Sequence, residues 1–147
     1  MKRFNFRLQR VLEIRERFRD EMRQELVQRN FEHDRERNIL EHLDQEFLRA
    51  KVEEGGTYSA SEMVLVGDYS TRLQEQIEQQ RARVLAAEQA AEEARERYIE
   101  ASKESQALEK LKEKRRQEYV EQALKEEGAQ LDEIAVQRAG RKALSET

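Results

Sequence analysis

The stretch Glu54-Gly55-Gly56-Thr57-Tyr58-Ser59-Ala60-Ser61-Glu62-Met63 is where this chain turns back on itself. Two glycines end one helical run, Ser59 stands as the N-cap of the next, and Glu62 follows three residues later to complete a capping box. Tyr58 and Met63 occupy the two positions that form a hydrophobic staple. Outward from this point nothing interrupts either run. The 147 residues contain no proline, where average usage would supply about seven, so no helix interior need be broken. A connection of about four residues between two long helices makes them antiparallel neighbours. The expectation is an all-α antiparallel coiled-coil hairpin filling 1–147 as one unit. Helix 1 spans about 5–54, the turn 55–58, and helix 2 about 60–139.

The second helix carries the clearer pattern. Val66, Ser70, Leu73, Ile77, Gln80, Val84, Ala87, Ala91, Ala94, Tyr98, Ala101, Ser105 and Leu108 alternate spacings of four and three, which is a heptad seam. Its alanine-rich middle admits a close neighbour with large side chains. The first helix offers Phe4, Leu8, Val11, Phe18, Met22 and Leu26, a polar interval with His33 and Arg37, and then Leu40, Leu43 and Phe47. Folding about residue 57 pairs positions whose numbers sum to roughly 114, because both helices rise equally per residue. Phe18 and Met22 should then face Ala91 to Tyr98, the polar interval Gln80 and Arg81, and Phe47 Val66.

This register leaves the last 30 or so residues of helix 2 without a neighbour, at roughly 1.5 Å of rise each. They still carry an apolar stripe of Tyr119, Val120, Ala123, Leu124, Leu131, Ile134 and Ala135, which an isolated helix leaves wet. Gly128 weakens the helix within that stretch, and Gly140 suits a stop.

Composition excludes whole classes of function. Charged residues make up 41% and aromatics 6%, too little apolar bulk for a globular core but enough for a narrow, elongated seam. Disorder is the competing reading, and the regular apolar spacing argues against it. Without cysteine there is no disulfide or thiolate site. No apolar run reaches the length of a membrane span, and the start lacks the apolar core of a signal peptide. A net charge of −4 with interleaved signs gives no broad basic field for nucleic acid.

No catalytic, metal or cofactor residue is assigned. His33 and His42 lack the i, i+4 spacing of a helical zinc pair, and Asn30 and Ile39 stand where a helix-bundle site needs Glu. Gly55-Gly56 has no Gly-Lys-Ser/Thr after it and reads as a turn, not a phosphate loop. Two basic clusters are more informative. Lys2, Arg3, Arg7, Arg10, Arg15, Arg17 and Arg19 against Glu13 and Glu16 give +5, and Lys103, Lys110, Lys112, Lys114, Arg115 and Arg116 against Glu104, Glu109 and Glu113 give +3. The hairpin brings them to one end as a positive collar, a steering surface for an acidic protein partner. Contact of the first cluster with anionic lipid is the alternative.

The start Phe-x-Phe-x-Leu-x-x-Val-Leu from Phe4 to Leu12, the short turn, and a longer second helix ending Leu131-Asp132-Glu133-Ile134-Ala135-x-x-Arg138 resemble the FliJ family of flagellar type III export proteins over nearly the whole chain. The resemblance implies a cytoplasmic, non-catalytic stalk, peripheral to the inner membrane through the export apparatus. Such a stalk enters the ring of the hexameric export ATPase and promotes its assembly. The protein-binding residues at that end are Phe4, Leu8, Arg10, Arg115, Tyr119, Leu131, Asp132, Glu133, Ile134 and Arg138. The membrane export-gate protein is a second implied partner, through a mid-hairpin surface mapping to Leu40, Leu43, Phe47, Tyr69, Leu73 and Gln80, several of which also lie on the seam. Export chaperones are a third. The free chain is expected to be a monomer without direct membrane insertion. The readings that stay open are a dimeric coiled-coil scaffold and the equivalent stalk of an injectisome.

Overall fold

A computed structural model describes residues 2–146. Among them are two helices and no strand: α1, Gln9–Glu54, with 46 residues, and α2, Ala60–Ser145, with 86. They form an antiparallel hairpin in two compact units, one of residues 18–101 and one joining residues 2–17 to 102–146.

In the first of these units the turn forms by the expected chemistry. The Ser59 amide donates to Glu62 Oε2 at 3.1 Å, and the Glu62 amide reaches Ser59 Oγ at 3.4 Å, a reciprocal capping box that starts α2 at Ala60. α1 ends at Glu54, just before the two glycines. No glycine has a positive φ; the Gly55 and Gly56 amides instead donate to the carbonyls of Val52 and Glu53, three residues back, and tighten the last turn. The Tyr58 ring lies over Gly56, and Met63, its expected staple partner, stays 56% exposed.

The α2 seam matches its pattern. From Val66 to Tyr98 every expected position is buried or half-buried, with Leu73, Ile77, Ala91 and Ala94 in the core. The register is shifted. Glu25 pairs with Arg97 at 3.3 Å, Gln80 Nε2 donates to the Glu36 carbonyl at 3.0 Å and to its carboxylate, and Glu54 lies beside Ser70, so facing numbers sum to between 116 and 124. α2 starts at Ala60, residues 60–65 are exposed, and burial on it begins at Val66. Leu26 and His33 share a shallow hollow with Ala91 and Tyr98, Met22 is half-buried, and Phe18 is 43% exposed. The polar layer exists, but Glu36 fills it in place of exposed Arg37.

In the other unit the start of α1 is also corrected. Residues 2–8 form a non-helical arm, and α1 begins at Gln9. The sequence Phe4-Asn5-Phe6-Arg7-Leu8 explains this, because apolar and polar residues alternate with the period of an extended chain, and burial follows that alternation. Leu12 is buried in place of Val11. Ala101 closes the seam of the first unit, and Ser105 and Leu108 continue it here. The helix passes Gly140 without stopping and ends at Ser145.

Candidate functional site

The unit of residues 2–17 and 102–146 holds the surface the seam leaves uncovered. Its covered part is set by the arm. An extended chain advances about twice as far per residue as a helix, so the arm reaches farther along α2 than an added helical turn would. The Phe4 and Tyr119 rings meet with centroids 5.5 Å apart and planes tilted by 46°. Phe6 is buried, and Phe4, Phe6, Leu8, Leu111 and Tyr119 line a groove edged by Arg3, Arg7 and Arg115. Tyr119 and Ala123, expected on the bare stripe, are thus half-covered, and Lys2 lies in a hollow beside Ala123.

Beyond that point α2 has no α1 residue against it. Every described residue from 124 onward is exposed, including Leu131 at 61%, Ile134 at 46% and Val136 at 71%. Asp132, Glu133 and Arg138 lie in the same stretch. The bare segment is shorter than the 30 residues expected, because the arm covers its first turns.

The collar is present but partly self-neutralised. Residues 2–17 and 102–123 carry twelve basic and seven acidic side chains, net +5. Arg15 pairs with Glu104 across the two helices, Arg115 with Glu118 at 3.2 Å, and Arg116 with Glu113 at 2.8 Å. The last pair raises the Arg116 guanidinium above its ordinary pKa and holds Glu113 below the usual carboxylate range. These pairs are exposed and add little to stability. Arg10 is exposed and Leu8 half-buried.

The mid-hairpin residues divide differently. Leu73 and Gln80 lie inside the seam, Leu40, Leu43 and Phe47 are half-buried along it, and Tyr69 is exposed. What the seam pattern did not mark are Leu48, Val52, Val64 and Leu65, exposed apolar residues flanking the turn. Their signal was their position off the four-three spacing. Among the described residues no group of three or more His, Asp or Glu is arranged to hold a metal ion, and no helix is long and apolar enough to cross a membrane.

A family model described as "Flagellar FliJ protein" matches residues 4–144. No curated protein and no solved structure matches the chain.

Proposed function

The chain belongs to the FliJ family of flagellar proteins, and on that premise we propose that it is the stalk of the flagellar export apparatus, binding the hexameric export ATPase at its arm-and-tail end and the membrane export gate along its flank. Membership of that family supports a role in flagellar export. The finer reading rests on one observation: the last 23 described residues of the chain, almost all of them helical, are wholly exposed and still carry Leu124, Leu131, Ile134 and Val136. Apolar surface held in water on a helix is removed from it when a partner docks, and that burial is the driving force.

The adjoining net charge of +5 steers an acidic partner toward this end. The stalk hydrolyses nothing; it acts by binding the assembled ring better than separate subunits, which shifts the equilibrium toward the hexamer. On the flank, Tyr69 is the residue of the mid-hairpin group that meets a gate protein without opening the seam. Mixing the protein with purified export ATPase should raise both turnover and the hexamer fraction in light scattering. If neither changes while the helical hairpin is intact by circular dichroism, the stalk reading fails.

A further inference from the structure

The two helices begin in different ways, and the start of α1 is the weaker. α2 opens on the capping box of Ser59 and Glu62, whereas α1 opens at Gln9 after Leu8, with no acidic residue in its first turn and with Arg10 at the positive end of its dipole. Gln9 adds a buried side-chain oxygen without a hydrogen-bond partner. What fixes this end is the arm, residues 2–8. The backbone of α2 is committed to its own helix, so the arm is held against it by side chains: Phe6 is buried, Phe4 and Leu8 are half-buried, and the Phe4 ring meets Tyr119. Three apolar side chains set against the ordering of seven residues leave the docked and released arms close in free energy.

Charge works against docking. Leu108, Lys112, Arg115 and Tyr119 continue the four-three spacing of the α2 seam, so the seam line turns basic where the arm lies, and the groove between them is edged by Arg3, Arg7 and Arg115. Glu118 is the acid lining that groove, and it pairs with Arg115 at 3.2 Å. Three cations less one anion leave +2 along the rim. Lys2 has counter-charges of its own, in the adjoining hollow with Glu126 and Glu127. Like charge on the two walls of a groove pushes the walls apart.

We propose that the arm is a strap, and that an acidic segment of a partner protein lying along Arg3, Arg7 and Arg115 closes it. Carboxylates in the groove replace repulsion by attraction, so the docked arm binds such a segment better than the released one. By linkage the segment then stabilises the docked arm, and with it the first turn of α1. The groove runs between one extended chain and one helix, and its aromatic side chains are already packed on α2, which suits a single peptide segment and not a bilayer surface. The inference rests on the placement of the arm and not on the stalk reading, and no ATPase enters its test.

The chain has no tryptophan, so Phe4→Trp places a single indole in the strap of the full-length protein. Its emission should move to the blue, with the open-to-closed ratio falling roughly threefold, as NaCl is raised from about 10 to about 200 mM, because salt screens the like charges. Hexaglutamate should produce the same shift at low salt. Arg7→Glu in that background should be closed already at low salt and lose most of its response to both. In the wild type, without any reporter, hexaglutamate should slow amide exchange at residues 9–12 and leave residues 66–98 unchanged. Vesicles of mixed phosphatidylserine and phosphatidylcholine should leave the emission where it was. Emission that moves to the red with salt, an Arg7→Glu variant that opens the strap, exchange at residues 9–12 that hexaglutamate does not slow, or vesicles that close the strap as hexaglutamate does would each overturn the proposal.

Discussion

Two stretches of the same helix, residues 66–98 and 124–146, are built from the same kinds of residue and meet opposite fates. The first spaces its seam at four and three, and the second carries Leu124, Leu131, Ile134 and Val136. In the first, Leu73, Ile77 and Ala94 are buried against α1; in the second, Leu131 and Val136 face water. Helix formation is thus independent of burial here. What α1 adds is removal of apolar surface, and that contribution is local.

The difference is sharpest in paired truncations. Leu73→Ala should cost about 2–4 kcal/mol in urea unfolding, the range for emptying a packed leucine site. Leu131→Ala should fall within about 0.5 kcal/mol of wild type for the unassociated chain. Equal losses at the two positions would break the comparison, because they would mean that the tail is covered within its own chain.

Overpacking tests the covered stretch from the other side. Ala94 is almost fully buried where the helices run close, and Ala94→Leu should destabilise by about 1–3 kcal/mol by forcing them apart. Little change in the thermal midpoint would mean a seam looser than the alanine pattern describes.

Gly128→Ala works on the tail. The added methyl enters open space and should stabilise the local helix by about 1 kcal/mol. Slower amide exchange around residue 128, with no rise in the stability of the seam, is the expected outcome; a rise in both would mean that tail and seam unfold together.

The smallest effect is in pH. Glu54 is held below its ordinary value of 4.5, first by the Ser70 hydroxyl, which lies close without a hydrogen bond of regular geometry, and then by Lys51, with an ion pair at 3.1 Å. Its contribution is therefore fully present above that value and lost as the pH falls through the lower, folded pKa. Glu54→Gln should flatten the acid side of the thermal-stability profile slightly and leave neutral pH unchanged. A loss appearing first above pH 5 would contradict the assignment.

Much of this was legible in the residues themselves. The capping box at Ser59 and Glu62 is local chemistry, needing only four consecutive residues, and the α2 seam is a periodicity that one helix displays alone. The α1 seam was less legible, because Val11 and Leu12, or Glu36 and Arg37, are neighbours that a pattern accepts equally well. The arm was legible in the alternation of Phe4 to Leu8, but the heptad reading absorbed those same apolar residues. At the candidate site the tail residues Leu131 to Arg138 were found as exposed, whereas Leu73 and Gln80 proved to be seam.

What the amino-acid order determined was every feature that depends on near neighbours: two long helices, where the second begins, and which face of it is apolar. What only the tertiary structure decided was how far along α2 the first helix and its arm reach. Register is a property of two helices and the path between them. An extended arm advances about twice as far per residue as a helix, so a few residues in that conformation set where the covered helix ends and the bare one begins.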